Sequence, residues 1–257
     1  MRFEALTDQE RVRLHEEALR LLEDVGMLLP ATSTVAARLR DNGLRPAADG
    51  RLRMPRATVE AALARAPRTV RLGARETRRA ATLDGSRTFV TTDGCGAKTL
   101  DFESGEKRSS ILADVAASAR LTDALDGFHV YWTMISAQDV PLQFRVPREF
   151  LTALRNTTKH IQVIDVARPE EAERLVQMAR LLLESGAMVD SPVSMLISVV
   201  SPLRLDPGGT EAALAFAAAG LPVAACSMPI ASVTAPATAP GSLLMSHTEI
   251  IGFTALV

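Results

Sequence analysis

Residues 221–257, LPVAACSMPIASVTAPATAPGSLLMSHTEIIGFTALV, form the stretch that decides the fold. Its first part, from Pro222 to Ser227, is short, apolar and uninterrupted, as in strands that are covered on both faces of a parallel sheet. A loop of Pro, Ser, Thr and Ala residues follows, and a helix is predicted from about Ser242. A strand, a loop and a helix in this order indicate one βα unit.

Three similar βα units precede this one. The four predicted strands begin at Phe128, His160, Ser194 and Pro222, so successive units are 32, 34 and 28 residues long. Helices are predicted between them, at about residues 147–157, 169–185 and 209–219. Repeated βα units indicate either an α/β barrel or a doubly wound sheet. No glycine-rich phosphate fingerprint follows the first strand, which weighs against a dinucleotide-binding sheet.

The number of units suggests part of a larger fold. A complete TIM (β/α)8 barrel needs eight strands in roughly 250 residues. We therefore expect an α/β protein in which residues 126–257 are the first four βα units of a TIM barrel, truncated before its second half. Residues 1–125 are expected to be a helical N-terminal extension with a small antiparallel sheet.

The extension shows its own helix and strand signals. Thr7 is a predicted N-cap for a helix that runs to Val25. A second helix is predicted from Ser33 to Asp41, closed by Asn42 and Gly43. Further elements are predicted from short patterns in the following residues: a strand at 52–54, a helix at 55–64, strands at 70–74, 87–92, 98–102 and 106–109, and a helix at 110–125.

Composition excludes several classes of partner. The formal net charge is -1, so no global field draws the chain to nucleic acid or to a membrane surface. Cys95 and Cys226 lack metal-site or redox spacing, and the N-terminus lacks the apolar segment of a signal peptide. The last residues are too interrupted by polar side chains for a membrane span. We therefore expect a cytoplasmic protein.

Two aromatic residues stand at the end of the first predicted strand. Tyr131 and Trp132 are the only Tyr and the only Trp in the chain. An aromatic face at a barrel mouth can hold a quaternary ammonium by cation–π attraction. The structural alternative is that these side chains pack between sheet and helix, which is the commoner role of aromatic residues.

Other polar residues after the strands have similar alternatives. Asp139, Asp165 and Asp206 follow predicted strand ends, where they could orient a substrate, bind a cation or cap a helix. The four histidines lack ligand spacing, so no metal site is predicted. Cys226 would be reactive only if its pKa were lowered, and a buried small hydrophobe is the simpler interpretation.

Glu249 is the one acidic residue in the predicted last helix. Apolar residues surround it, so its side chain must either face solvent or be paired, because burying a bare carboxylate is costly. We predict a functional or interface role for Glu249. The loop before the helix, which includes Met228 and Thr234, has the composition of a shaped pocket wall.

Several stretches of the chain resemble the trimethylamine methyltransferase (MttB) family. The longest is residues 201–256, SPLRLDPGGTEAALAFAAAGLPVAACSMPIASVTAPATAPGSLLMSHTEIIGFTAL. The others are LLEDVGM at 21–27, RLRMPRATVEAALARAPRTV at 51–70, TLDFESGEKRS at 99–109 and TTKHI at 157–161. The resemblance extends over nearly the whole chain and keeps the order of these segments.

The resemblance implies a methyltransferase. Members of the family move a methyl group from a methylated amine, such as trimethylamine or glycine betaine, to the Co(I) of a separate corrinoid protein, a chemistry related to methanogenesis. The corrinoid is carried by that partner, so no cofactor or metal is expected in this chain. Some archaeal members carry pyrrolysine late in the barrel, and the chain looks more like a bacterial member without it. We expect a homo-oligomer at full length.

The same resemblance suggests where the substrate binds. Tyr131 or Trp132 would line the ammonium pocket, and Met228 and Thr234 would form part of its wall. Glu249 would support that wall from behind. No catalytic residue is assigned, because the strongest marker of the family falls in the missing half of the barrel.

Two other functions remain open from the sequence. The chain could be a catalytically inactive truncated fragment, or a half barrel that acts as an assembly module. A TIM-barrel lyase or aldolase is a third possibility, and it would need a Schiff-base lysine at a strand end. Lys159 lies at a predicted strand start instead, which counts against the lyase.

Overall fold

The computed structural model describes residues 5–41, 44–164 and 166–257. The predicted closure at Asn42 and Gly43 and the candidate Asp165 lie outside the described residues. The helices of the described chain are α1 Asp8–Asp24, α2 Ser33–Asp41, α3 Arg56–Arg65, α4 Leu112–Ala124, α5 Arg145–Asn156, α6 Pro169–Glu184, α7 Pro207–Ala218 and α8 Ala239–Leu256. Its strands are β1 Met27–Leu28, β2 Arg51–Leu52, β3 Val70–Leu72, β4 Ala81–Leu83, β5 Lys98–Leu100, β6 Lys107–Ser109, β7 Val130–Trp132, β8 His160–Val163, β9 Val193–Val199 and β10 Val223–Ser227.

A four-stranded sheet organises the second half of the chain. Its strand order is β10-β9-β8-β7, so spatial neighbours are also neighbours in sequence. Strands β7 and β8 pair in parallel, as do β8 and β9. Parallel neighbours require a crossover, and α5 and α6 supply the first two. The predicted strands, and the predicted helices between them, are confirmed to within a few residues.

Strands β7, β8 and β9 are largely buried, as their uninterrupted apolar runs predicted, whereas every residue of β10 is only partly buried, which differs from the predicted cover on both faces. In β9, Val193, Met195 and Ile197 are each almost fully buried, and Ser194 between them is buried too. Burial on both sides is what a parallel sheet covered by helices shows. The parallel sheet contains four strands, and the half barrel stays a prediction.

The N-terminal strands differ from the single small sheet that was predicted. They form separate antiparallel pairs, β1 with β2, β3 with β4, and β5 with β6. The predicted strand at residues 87–92 is wrong: only Thr91 makes a bridge there, in parallel with Val130. The predicted strands at 98–102 and 106–109 are found as β5 and β6, which pair as an antiparallel hairpin with Gly105 at φ 71°, a conformation that glycine adopts without strain.

The described chain groups into two compact units. One comprises Met1–Ala66, Ser198–Glu211 and Ala225–Val257, and the other Pro67–Ile197 and Ala212–Ala224. The predicted division between residues 125 and 126 stays a prediction. The two compact units do not follow this predicted division, because α8 packs against α1 and α3 and so belongs to the same unit as the N-terminal helices.

Local sequence explains where α1 begins. Thr7 accepts a hydrogen bond from the Glu10 backbone N–H, and the Glu10 carboxylate accepts one from the Thr7 N–H. This capping box satisfies two N–H groups that have no partner inside the helix. Ala18, Leu19 and Leu22 then face the core, at the spacing of one helical stripe.

Glycine lets α8 approach its neighbours closely. A Cβ atom at Gly252 would lie 2.8 Å from a methyl carbon of Leu22 in α1. Ile251 and Phe253 beside it are nearly buried. The last helix is therefore an integral part of its compact unit.

Glu249 connects α8 to the segments that follow two strands. Its side chain is completely buried. Oε1 accepts a hydrogen bond from the Leu203 backbone N–H at 2.8 Å, and Oε2 accepts one from Ser201 Oγ at 2.7 Å. Oε2 also accepts a bond from Ser227 Oγ, at the end of β10. These neutral donors compensate for the water that the carboxylate has lost.

His160 fixes the start of β8. The His160 ring is fully buried, with Nδ1 2.8 Å from the Gly73 carbonyl oxygen and Nε2 2.8 Å from Ser194 Oγ. Because the Gly73 carbonyl oxygen can only accept a hydrogen bond, Nδ1 carries the proton, and Nε2 accepts a hydrogen bond from the Ser194 hydroxyl. Burial lowers the pKa of His160 to about 4, so the ring is neutral in the folded protein.

None of the helices described in residues 5–41, 44–164 and 166–257 has the length and apolar character needed to cross a membrane.

The lowered pKa of His160 predicts a pH-dependent stability. Below its ordinary pKa of about 6.5, the unfolded chain binds a proton at this ring that the folded chain does not, down to a pH of about 4. The free energy of unfolding should therefore fall by about 3 kcal/mol as the pH decreases from about 6.5 to about 4. His160→Gln should remove that part of the slope in urea unfolding series at several pH values. An unchanged slope in the variant would contradict the prediction.

The Glu249 contacts predict a large effect on stability. Glu249→Leu leaves the Leu203 N–H and two serine hydroxyls without their acceptor, and should lower the free energy of unfolding by about 3 kcal/mol. Glu249→Gln keeps one carbonyl oxygen as an acceptor, so its free energy of unfolding should lie between those of wild type and Glu249→Leu. Urea unfolding measures both variants.

The matched control is Glu173→Leu, at an exposed position of α6. Surface changes of this kind stay within about 0.5 kcal/mol. If Glu249→Leu were as mild as this control, Glu249 would not hold these segments.

Candidate functional site

A cavity of about 290 Å³ opens where β7 and β8 end. This is near the lower limit of about 300 Å³ for pockets that bind small molecules. It lies within the unit Pro67–Ile197 and Ala212–Ala224. Its polar and charged lining is Thr133, Ser136, Arg145, Glu149, Arg168 and Glu171, and Cys95 also contributes.

Consecutive structural elements bring these residues together. Thr133 is the residue directly after β7, and Arg145 is the first residue of α5. Arg168 immediately precedes α6, and Glu171 lies in its first turn. The carboxyl ends of parallel strands and the first turns of the following helices meet on the same side of a sheet. The cavity therefore occupies the position where α/β proteins bind their ligands.

Two buried polar atoms of the cavity lining have no partner among the described residues. They are Thr133 Oγ1 and Arg145 Nε. Thr133 is only 4% exposed, so solvent does not replace the missing bond. More than nine in ten buried polar groups in proteins are hydrogen-bonded. Atoms of this kind in a cavity wall mark where a ligand or an ordered water would bind.

The two carboxylates of the cavity are both buried. Glu149 Oε1 accepts a hydrogen bond from the Ala137 backbone N–H at 2.6 Å, which holds the loop after β7 against α5. Glu171 is 3% exposed. Burial raises the pKa of Glu171, and the nearby Arg168 guanidinium acts in the opposite direction. A cation bound beside Glu171 would favour the ionised form.

Tyr131 has the geometry of a packing residue. It is fully buried, and its hydroxyl lies 2.8 Å from Ser118 Oγ of α4. Burial also raises the pKa of this phenol. Its ring does not line the cavity, and its predicted part in substrate binding stays a prediction.

Trp132 faces a glycine loop. A Cβ atom at Gly94 would lie 2.6 Å from Trp132 Nε1, so only glycine fits beside this ring. Nε1 is buried and has no hydrogen-bond partner in the described part of the chain. The Trp132 ring is also outside the cavity lining, and its binding role too stays a prediction.

The loop after β10 is exposed and braced internally. Met228 is 66% exposed, and Thr234 Oγ1 accepts a hydrogen bond from the Ile230 backbone N–H at 2.8 Å. Glu249 reaches the start of this loop through Ser227. These contacts fit a support role for Glu249, while binding of substrate by Met228, Thr234 or Glu249 stays a prediction.

The remaining candidates have structural partners. Asp139 Oδ1 accepts from the Leu112 N–H at the start of α4, and Asp206 Oδ2 accepts from the Gly209 N–H in the first turn of α7, each at 2.8 Å. Both are capping residues. Lys159 Nζ donates to two carbonyl oxygens at the end of α4. This contact gives it a capping role, unlike the free amine of a Schiff-base lysine. Burial raises the pKa of Cys226, which disfavours the thiolate.

Sequence reasoning did not single out Arg145, Glu149 or Glu171. Attention to the loops after the strands selected other residues, whereas Arg145 and Glu171 lie in the first turns of α5 and α6, and Glu149 lies in the second turn of α5. A usable signal was present: each is a charged side chain within the first two turns of a helix that follows a predicted strand and loop. Among the described residues, no three His, Cys, Asp or Glu side chains gather as metal ligands would.

Known proteins resemble this chain over its whole length. A glycine betaine methyltransferase of Desulfitobacterium hafniense (strain Y51) is 26% identical over 253 residues, which is 97% of this chain and 52% of the relative. The trimethylamine methyltransferase MttB of Desulfitobacterium hafniense (strain DSM 10664 / DCB-2) is 26% identical over 249 residues, covering 96% of this chain and 50% of the relative. The chain thus spans about half the length of these relatives.

A solved structure shares the fold. The crystal structure of the hydroxylamine MtmB complex aligns with a TM-score of 0.52 at 13% sequence identity, covering 95% of this chain and 55% of that one. The sequence model of a family described as trimethylamine methyltransferase (MTTB) matches residues 1–257. The chain belongs to the trimethylamine methyltransferase (MTTB) family.

Proposed function

We propose that this chain is part of an enzyme that moves a methyl group from a methylated amine to the Co(I) of a separate corrinoid protein. Membership of the methyltransferase family supports this, as do two relatives named for glycine betaine and for trimethylamine. The observation that carries the proposal is the cavity at the ends of β7 and β8, which two buried glutamate side chains line.

We also propose that the parallel sheet is the first half of a TIM (β/α)8 barrel. Strand order follows chain order, and each connection contains a helix. The similarity in fold to a solved structure of which the chain covers 55% supports the same reading. In such a barrel, the ends of β7 and β8 would be on the catalytic face.

The side chains present can bind and orient a methylated ammonium. Glu171 is buried in the cavity wall, and an ammonium bound beside it would favour the ionised form of its carboxyl. The apolar side chains of Ile135 and Ile164 also line the cavity and would contact the methyl groups. Loss of hydration and correct alignment are what such a poor methyl donor requires.

The reaction is balanced without any proton transfer when the donor is a quaternary amine. The nitrogen–carbon bond breaks and leaves its electron pair on nitrogen, which becomes a neutral amine. Co(I) of the corrinoid protein, a substrate in this step, provides both electrons of the new cobalt–carbon bond. The chain has only to hold the donor and exclude water, so we propose that it binds no cofactor of its own.

Methyl transfer can be measured directly. The protein, in the full length that its cells produce, is mixed with a Co(I) corrinoid protein and either glycine betaine or trimethylamine, and the cobalamin spectrum is recorded. The spectrum should change to that of the methylated form with at least one of these amines. No change with any methylated amine would overturn the proposal and favour a catalytically inactive protein.

The role of Glu171 is tested in the same assay. Glu171→Gln keeps the size of the side chain but loses its charge, and should raise KM for the amine about tenfold, or about 1.4 kcal/mol. Glu173→Gln, two residues along the same helix and exposed, should leave KM unchanged. Equal KM values for wild type and Glu171→Gln would contradict the assignment of Glu171.

A further inference from the structure

A second cavity, of about 510 Å³, lies within the unit that contains the N-terminal helices. Cavities of about 300–1,000 Å³ are the usual size for binding small molecules in proteins. We propose that this cavity binds a small amphipathic anion, which is a molecule with an apolar body and one negatively charged head group. The site is separate from the proposed function, because none of its residues lines the cavity at the ends of β7 and β8.

Apolar side chains form most of the cavity wall. Val35 and Leu39 of α2 are only 1% and 3% exposed, and they line the cavity together with the half-buried Leu28, Leu29 and Leu44. Sites for small molecules are lined predominantly by apolar side chains, with a few polar groups that fix the orientation of the ligand. This wall therefore favours a ligand whose larger part is apolar.

Backbone hydrogen bonds hold this wall in place. The Leu28 N–H donates to the Leu203 carbonyl oxygen at 2.8 Å, and the Leu205 N–H donates to the Leu28 carbonyl oxygen at 3.0 Å. The Leu44 N–H donates to the Leu39 carbonyl oxygen at 2.8 Å, just beyond the last turn of α2. A wall that is already ordered requires little rearrangement when a ligand binds, which favours affinity.

The charged residues of the lining, Arg40 and Arg45, have the same sign. Both side chains are exposed, and no acidic residue is among the described residues that line the cavity. Throughout the described ranges, neither guanidinium takes part in a hydrogen bond or an ion pair. The planar guanidinium matches the oxygens of a carboxylate or a phosphate. An anionic head group therefore complements the charge of this cavity.

The wall and the charges together define the class of ligand. A cation would be repelled by the two arginines, and a wholly polar anion would leave the apolar wall in contact with water. An uncharged apolar molecule would gain nothing from Arg40 or Arg45. A molecule that combines an apolar body with one anionic head group satisfies both features.

Ligands with the same eight-carbon chain test the inference. Octanoate and octyl phosphate carry anionic head groups, and octan-1-ol carries an uncharged one. Isothermal titration calorimetry on the protein, in the full length that its cells produce, should show at least one of the two anions binding about tenfold more tightly than octan-1-ol, or better. The anion that binds more tightly identifies the head group. Acetate, which lacks the apolar chain, should not bind at the same concentrations.

Removing the positive charge should affect only the anion. The double variant with Arg40→Ala and Arg45→Ala should weaken binding of that anion about tenfold and leave binding of octan-1-ol unchanged. Both positions are exposed, so the fold should persist. Arg13→Ala, at an exposed position of α1 outside the cavity lining, is the matched control and should bind every ligand as wild type does.

Filling the cavity should affect every ligand. Ala36 is an exposed residue of α2 that lines the cavity, and Ala36→Phe should abolish binding of the anion and of octan-1-ol. Ala61→Phe, at an exposed position of α3 outside the lining, should change neither affinity. Circular dichroism confirms that each variant is folded.

Three results would each overturn the inference. The first is that neither anion binds to the wild-type protein, as expected if another part of the full-length chain or a second copy covers the cavity. The second is that the anions bind no more tightly than octan-1-ol, and the third is that Ala36→Phe binds the anion as wild type does. Methyl transfer is measured separately, so the proposed function would stand in all three cases.

Discussion

A buried carboxylate constrains the way this chain folds around its last helix. Glu249 has no exposure to solvent, so its charge is tolerated only because Leu203, Ser201 and Ser227 donate to it. Those donors lie after β9 and at the end of β10, whereas Glu249 lies in α8. One side chain thereby fixes two connecting segments against a helix that itself packs on α1 and α3.

Basic and acidic groups together line the cavity at the ends of β7 and β8. Helix N-termini and the guanidinium groups of Arg145 and Arg168 provide positive charge, and Glu171 is a buried carboxyl whose pKa burial raises. Glu149 holds the neighbouring loop through the Ala137 N–H and so preserves the shape of the site. Charged groups in a cavity select ligands by charge as well as by size.

Sequence could predict the repeated βα units because uninterrupted apolar runs and helix caps are local signals. It also predicted that Glu249 would either face solvent or be paired, since burial of a bare carboxylate is costly, and the structure shows the paired alternative. The partners themselves, Ser201 and Ser227, come from distant segments and leave no local pattern. Arg145 and Glu171 were missed for the same reason: which first-turn residues share a cavity depends on how two helices pack. The strand predicted at 87–92 is wrong because, despite a composition typical of strands, this segment forms only one bridge, from Thr91 to Val130.

The central claim is that the cavity at β7 and β8 binds a methylated amine. A crystal structure of the protein with glycine betaine tests it most directly. We expect the ligand in this cavity, with its ammonium beside Glu171. Only ordered water in the cavity at a saturating concentration of glycine betaine, with the ligand bound elsewhere, would contradict the claim.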